Sequence, residues 1–190
     1  LDNLAVGADG GKGTALGPGL RRTNPKRRQK KSLWFRVWKR KRKMSKLAIF
    51  AGSFDPFTMG HKNIVDRALE SVADEVVIAI GINCEKKYMF TLEERLRAIR
   101  KVYQDEPRVR VETYEGLTTD FAKKIGANFL LRGVRSVKDY EFERDMAEVN
   151  QRLAGIETVL LFTAPEYSCV SSSIVRELIS YHQNVKDFLP

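Results

Sequence analysis

LAIFAGSFDPFTMGH, residues 47–61, is the stretch that decides the fold. Its first residues, Leu47–Ala51, form a short apolar run, which is typical of a buried strand in a parallel sheet. Gly52 and Pro56 then turn the chain, and Gly60 leaves room at the start of a helix. A strand, a tight turn and a helix in this order predict an α/β fold whose ligand site lies at the carboxyl edge of its sheet.

The same alternation of short apolar runs and amphipathic stretches continues to the end of the chain. The predicted strands are Leu47–Ala51, Glu75–Ile82, Arg108–Thr113, Asn128–Leu131 and Glu157–Phe162. The predicted helices are Gly60–Ser71, Thr91–Tyr103, Thr118–Ile125, Lys138–Ala154 and Ser171–Tyr181. We therefore expect a Rossmann-like open parallel sheet of five strands with helices on both faces, in a single domain spanning residues 44–190.

The net charge of +10 is concentrated at the start of the chain. Residues 1–43 hold 14 of the 34 Lys and Arg residues but only Asp2 and Asp9 of the 24 acidic ones. That segment carries +12, and residues 44–190 carry −2. The high isoelectric point therefore belongs to the leader, and the nearly neutral remainder does not look like a nucleic-acid-binding surface.

The basic leader, residues 1–43, is expected to be disordered because Gly, Pro, Lys and Arg dominate it. Three interpretations remain open: a basic binding arm, a targeting peptide, or a stretch upstream of a true start at Met44. We favour the last, because Met44 lies three residues before the first strand. A binding arm would make the chain a nucleic-acid-binding module, a function of a different class.

The cysteines indicate a reducing compartment. Cys84 and Cys169 lie 85 positions apart and form no C-x-x-C pair, so we expect two free thiols, buried or half-buried. No apolar run approaches the roughly 20 residues that span a bilayer. We expect a cytoplasmic protein with no membrane partner, no nucleic-acid partner and no metal-binding side chains.

The residues after the first strand suit phosphate binding. Glycine lets a ligand approach the backbone at Gly52, Ser53 offers a hydroxyl, and the N-terminus of a helix attracts anions. His61, just inside that helix, can donate a hydrogen bond to phosphate oxygens and stabilise the charge of a transition state. The plain alternative is a structural histidine.

The G-S-F-D-P turn followed by T-M-G-H resembles the nucleotidyltransferase superfamily that carries T-x-G-H or H-x-G-H. Three further stretches narrow the resemblance to the bacterial phosphopantetheine adenylyltransferases: Lys86–Thr91 with Glu93–Arg95, Arg132–Arg135 with Asp139–Glu143, and Val170–Ser173 with Arg176 and Glu177. The resemblance covers about residues 46–190, and four motifs in register make it specific.

The resemblance implies transfer of AMP from ATP to the phosphate of phosphopantetheine, which gives dephospho-coenzyme A and pyrophosphate in coenzyme A synthesis. It also implies Mg²⁺ with ATP and a homo-oligomer, by family habit a hexamer. The nearest alternatives are related transferases that act on nicotinamide mononucleotide or use CTP. A nucleotide sensor without activity on the same fold is a further alternative.

The resemblance also implies roles for individual residues. The catalytic set is His61, Lys86 and Arg132, and the acceptor would meet Ser53, Lys86, Thr118 and Arg132. ATP would meet Ser53, Phe54, His61, Gly133, Val134, Arg135, Glu143, Tyr167, Ser168, Cys169, Val170, Ser171, Ser172 and Ser173. Without the resemblance, Lys86, Arg132, Arg135 and Glu143 would be interpreted as solvated charges. Ser171, Ser172 and Ser173 would be interpreted as a helix cap.

Overall fold

The computed structural model describes residues 45–190, so the predictions for the leader and for Met44 lie outside the described residues. Within that range the chain forms five strands and five α-helices. The strands are β1 (Leu47–Gly52), β2 (Glu75–Gly81), β3 (Val109–Tyr114), β4 (Phe129–Val134) and β5 (Glu157–Phe162). The helices are α1 (Met59–Ser71), α2 (Leu92–Val102), α3 (Thr118–Ile125), α4 (Val137–Ala154) and α5 (Ser172–Ser180), with short 3-10 turns at Pro165–Tyr167 and Lys186–Phe188.

The strands form one parallel sheet in the order β3-β2-β1-β4-β5. This confirms the predicted Rossmann-like fold. β1 lies in the centre, and the chain proceeds from it to β2 and β3 on one side and later to β4 and β5 on the other. The strand order therefore reverses direction between β1 and β4, which is where open α/β sheets bind their ligands.

Each face of the sheet is covered by helices. Alternate residues of β1 point to opposite faces, as the period of a strand requires. Ala48 and Phe50 join a core with α1 and α2, whereas Ile49 and Ala51 join a second core with α3 and the end of α4. The carboxyl ends of β1 and β4 stay uncovered between these two layers. That residues 44–190 form one domain stays a prediction.

The fourth strand is longer than predicted. The sequence pattern predicts an end at Leu131, but the strand continues to Val134 because Arg132, Gly133 and Val134 pair with Leu160, Leu161 and Phe162 of β5. A charged residue and a glycine look like the end of a strand in sequence, and only the neighbouring strand keeps them in the sheet. Arg132 thus lies on the rigid sheet itself.

The prediction that the two cysteines are buried or half-buried was wrong. Cys84 follows β2 and Cys169 precedes α5, and both are free and exposed because they lie in connecting loops. Among residues 45–190, no helix has both the length and the apolar character needed to cross a bilayer.

Candidate active site

The turn after β1 is shaped by a close approach between Gly52 and Phe54. Phe54 has a positive φ of 48°, and its ring lies over Gly52 so closely that a Cβ there would be 3.0 Å from Cζ. Phe54 is buried, with ring centroids 5.3 Å from Phe50 and 5.5 Å from Phe57. Any side chain at position 52 would press on this ring, and the turn is held from inside by aromatic packing.

Thr58 and His61 form a capping box at the start of α1. The backbone N–H of Thr58 donates to Nδ1 of His61 at 3.0 Å, and the Thr58 hydroxyl lies 3.0 Å from the same nitrogen. Because Nδ1 accepts, the proton of the neutral imidazole lies on Nε2. The helix cap thus sets both the orientation and the tautomer of His61.

The surroundings of His61 keep its ring neutral. Burial, followed by the positive charges of Arg132 and Arg135, lowers its pKa from 6.5 to about 4. The ring stacks on Phe57 at 5.4 Å between centroids and meets the edge of Phe54 at 5.2 Å. His61 is therefore a neutral hydrogen-bond donor at physiological pH, suited to polarising a phosphoryl oxygen.

A cavity of about 560 Å³ opens at the carboxyl ends of β1 and β4, and we call it the main cavity. It brings together most of the predicted site residues: Ser53, Phe54, His61, Lys86, Arg132, Gly133, Arg135, Glu143, Val170, Ser171, Ser172 and Ser173. Its lining also includes residues without a predicted role, among them Asp139, Phe142 and Thr163. Three cationic side chains and two carboxylates line it, which leaves a net charge of +1. Together with the N-termini of two helices, this suits an anionic ligand.

Several predicted nucleotide contacts do not line this cavity. Val134 is buried in β4. Tyr167, Ser168 and Cys169 belong to the loop before α5, whose Tyr167 side chain packs near Gly60 at the start of α1. This loop supports the wall that begins at Val170.

Arg132 is held by three hydrogen bonds. Its Nε donates to Oε2 of Glu143 at 2.7 Å and its Nη2 donates to Oε1 at 2.5 Å, which makes a two-pronged ion pair. Its Nη1 donates to the carbonyl of Ala51 at 2.6 Å. The planar guanidinium is therefore fixed between β1 and α4, with its remaining hydrogens available to a ligand.

Arg135 is held by a residue that sequence reasoning missed. Its Nε donates to Oδ2 of Asp139 at 3.0 Å, an i, i+4 pair that joins the end of β4 to the first turn of α4. The spacing of this pair was visible in the sequence. The two carboxylates of the main cavity, Asp139 and Glu143, are thus each bonded to an arginine.

Thr118 lies in a neighbouring cavity of about 210 Å³, which we call the side cavity. Its hydroxyl lies 2.7 Å from the hydroxyl of Tyr114, whose ring stacks on Phe121. The side cavity shares four lining residues with the main cavity: Ala51, Arg132, Phe142 and Glu143. Arg132 therefore stands at the boundary between two adjoining pockets.

The serine-rich N-terminus of α5 faces the turn after β1. Ser171 caps the helix by accepting the backbone N–H of Ile174 at 3.2 Å. Ser172 donates its hydroxyl to the carbonyl of Pro56 at 2.8 Å, and Arg176 donates to the carbonyl of Asp55 at 2.6 Å. Ser171 therefore caps the helix and Ser172 bonds it to the turn, and both residues also line the main cavity.

In this Rossmann-like sheet the first strand leads through a tight turn into a helix that begins with T-x-G-H, beside a cavity lined by cationic side chains. This combination defines a nucleotidyltransferase. The cytidylyltransferase-like family model matches residues 49–178. A phosphopantetheine adenylyltransferase of Bacteroides fragilis is 55% identical over 143 residues, covering 75% of this chain and 95% of that protein. One of Flavobacterium psychrophilum is 55% identical over 132 residues, covering 70% and 87%. The chain belongs to the phosphopantetheine adenylyltransferase family.

The fold is also similar to a solved structure. A bifunctional NMN adenylyltransferase/ADP ribose pyrophosphatase of Francisella tularensis, complexed with AMP and a manganese ion, matches with a TM-score of 0.57 at 17% identity. The match covers 77% of this chain and 44% of that one. At this identity the likeness concerns the fold alone, and it agrees with the sheet described above.

Proposed function

We propose that the main cavity binds ATP, that the side cavity receives the pantetheine arm of the acceptor, and that His61, Lys86 and Arg132 act on the reacting phosphates between them. The reaction is the one that the family name states. An oxygen of the phosphopantetheine phosphate attacks the α-phosphorus of ATP, the bond to the β-phosphate breaks, and pyrophosphate leaves with the electron pair. The product is dephospho-coenzyme A.

The observation that carries this proposal is the state of His61. Its Nδ1 is occupied by Thr58, its ring is neutral, and Nε2 is left to donate within a cavity that also contains Lys86 and Arg132. The acceptor phosphate is already an anion, so the reaction needs no general base. Positioning and charge stabilisation, which these three residues supply, are then sufficient.

Individual roles follow from the position of each residue. Lys86, a compact charge on a flexible side chain, would follow the phosphates as they move, whereas the fixed fork of Arg132 would hold the acceptor phosphate. The serine-capped start of α5, Gly133 and Arg135 would contact the nucleotide, together with Ser53 and Phe54. Thr118 would line the path of the pantetheine arm, which is consistent with its place in the side cavity.

We propose that Mg²⁺ arrives with ATP. Among residues 45–190, no group of three His, Cys, Asp or Glu side chains is placed to hold a metal. The two carboxylates of the main cavity are bonded to Arg132 and Arg135, so phosphate oxygens of ATP would supply the ligands of the ion. Bound Mg²⁺ would neutralise part of the phosphate charge.

We further propose that the protein assembles with copies of itself through α4, in keeping with the hexamer of the resembling family. One face of this helix carries four exposed apolar residues at i, i+4, i+7 and i+11: Phe142, Met146, Val149 and Leu153. This spacing forms a continuous stripe, which we call the α4 stripe. Phe142 and Met146 also line the side cavity, so the proposed contact centres on Val149 and Leu153. Exposed apolar stripes of this kind mark protein contacts, and a second copy is the occupant we propose.

The two free thiols fit a cytoplasmic location.

Pyrophosphate release tests the reaction. The full chain is assayed with ATP, Mg²⁺ and phosphopantetheine, beside His61→Ala and the control His182→Asn, which changes an exposed histidine outside the main cavity. We expect His61→Ala to lower kcat by about 10²–10³-fold, the usual loss for one transition-state donor, and the control to retain parent activity. Faster turnover with nicotinamide mononucleotide, or with CTP in place of ATP, would reject the proposed substrates.

A further inference from the structure

Two charged side chains are buried beside the main cavity although the proposed reaction uses neither of them. Asp55 is 3% exposed and Arg95 is 5% exposed. Burial of a charge is costly unless the group is bonded in place. Their hydrogen bonds therefore indicate what each residue does.

Asp55, in the turn after β1, is bonded to a distant loop. Its Oδ2 accepts the backbone N–H of Met89 and its Oδ1 accepts that of Phe90, both at 2.9 Å. These residues end the connection between β2 and α2, residues 82–91, which we call the Lys86 loop. Asp55 also meets α5, because Arg176 donates to its carbonyl at 2.6 Å and lies 3.9 Å from its carboxylate.

Arg95, in the first turns of α2, forms a second link between the same segments. Its Nη1 donates to the carbonyl of Ser53 at 2.7 Å, which lies in the turn after β1. Its guanidinium carbon lies 4.1 Å from the ring centre of Tyr88, within the Lys86 loop. The loop is thus bonded to the turn through Asp55 and packed on it through Arg95.

These links bear on the reaction because the two segments carry different parts of the site. The turn contains Ser53 and Phe54 and leads into His61. The Lys86 loop contains Lys86, which is exposed to solvent and also lines the main cavity. An exposed lysine on a loop has no fixed position of its own. Small errors in the position of a reacting group are costly, on the order of 10²-fold in rate for about 1 Å.

We infer that Asp55 and Arg95 are positioning residues that hold the Lys86 loop against the turn, so that Lys86 and His61 face the same phosphates. The inference rests on the proposed function for its kinetic consequence. Its structural part, that the two buried charges order the loop, is independent of the substrate. A purely stabilising role would lower stability everywhere without any special link to Lys86.

Hydrogen exchange in the free protein tests the structural part. In Asp55→Asn, the side chain keeps its size but presents an NH₂ group to one of the two backbone N–H groups. The matched control is Asp74→Asn, since Oδ2 of Asp74 accepts the backbone N–H of Lys46 at 2.8 Å at the opposite end of the sheet. We expect the amides of Met89 and Phe90 to exchange about tenfold faster in Asp55→Asn, with β2 amides unchanged.

The exchange result decides the structural part in either direction. Equal exchange of Met89 and Phe90 in Asp55→Asn and in the parent would overturn the inference. If Asp55→Asn fails to fold, Arg95→Lys takes its place, because lysine keeps the charge but lacks the guanidinium Nη1 that donates to the carbonyl of Ser53. Unchanged exchange of the Lys86 loop in a folded Arg95→Lys would likewise count against the inference.

A double-mutant cycle with Lys86 tests the kinetic part on the full chain. We expect a loss in kcat of about tenfold for Asp55→Asn and about 10²-fold for Lys86→Ala, with the double variant close to Lys86→Ala alone. Losses that multiply would show that Asp55 acts independently of Lys86 and would overturn the positioning role. A parent without turnover on phosphopantetheine would count against the proposed function, while the exchange experiment would still decide this inference.

Discussion

Arg132 on β4 and Glu143 on α4 form a two-pronged ion pair with donor–acceptor distances of 2.7 and 2.5 Å, at the boundary between the main and side cavities. Sequence resemblance assigns Glu143 to the nucleotide, and that assignment stays a prediction. In the structure both carboxylate oxygens are bonded to Arg132. The geometry favours a role for Glu143 in orienting the residue proposed to bind the acceptor phosphate.

Glu143→Gln should therefore affect the acceptor more than the nucleotide. The amide keeps one acceptor oxygen but loses the charge and the second prong, so Arg132 is less well oriented. We expect the KM for phosphopantetheine to rise about tenfold, equivalent to about 1.4 kcal/mol, with a smaller change in the KM for ATP. A selective rise in the KM for ATP would instead support direct contact between Glu143 and the nucleotide.

The low pKa of His61 predicts a pH-dependent stability. The pKa of His61 is about 4 in the folded protein and about 6.5 in the unfolded chain. As pH falls below 6.5 the unfolded chain binds the proton first, so stability is lost on acidification. Between pH 7 and pH 5, His61 should lower the free energy of unfolding by about 2 kcal/mol.

Denaturant unfolding at pH 7 and pH 5 measures this effect. His61→Asn, whose side chain does not titrate and can still accept from Thr58, should lose less stability on acidification than the parent. His182→Asn, a change of the other histidine, should keep the parent's dependence. Parallel losses in the parent and in His61→Asn would show that His61 is not held neutral by the fold.

The α4 stripe predicts that a single charge disrupts self-association. Val149→Glu places a carboxylate in the centre of the stripe and outside both cavities, so we expect a lower molar mass by light scattering. The control is Val137→Glu. Val137 is also exposed, but it lies on the opposite side of the same helix and should leave the mass unchanged. An unchanged mass for Val149→Glu would place the interface elsewhere.

Gly52→Ala should weaken nucleotide binding through Phe54. The added Cβ would lie 3.0 Å from the Phe54 ring, which is confined between Phe50 and Phe57, so the ring and the turn must shift. We expect a stability loss of about 1–3 kcal/mol, as for other overpacked cores, and a higher KM for ATP. Thermal unfolding and pyrophosphate release together check this. A variant with parent stability and parent KM would show that the turn yields freely.

Local patterns in the sequence were sufficient to predict most of the strands and helices and the location of the main cavity. The apolar run at Leu47–Ala51 and its successors predicted five parallel strands, because burial and periodicity act over a few residues. The turn and the T-x-G-H motif marked the main cavity, and motif order supported the family. The end of β4 was missed because Arg132 and Gly133 are held in the sheet by β5, a neighbour that local patterns do not reveal.

Partnerships between distant residues were decided only by the tertiary structure. Arg132 bonds the carbonyl of Ala51, 81 positions away, and Asp55 accepts the N–H groups of Met89 and Phe90, 34 and 35 positions away. Such contacts depend on strand order and on the rigid packing of two helical layers, neither of which has a local signature. The sequence by itself therefore determined which residue types gather at the carboxyl edge of the sheet. Only the tertiary structure decided which charged residue is paired with which partner, because a buried ion pair forms only where packing brings its two partners within hydrogen-bonding distance.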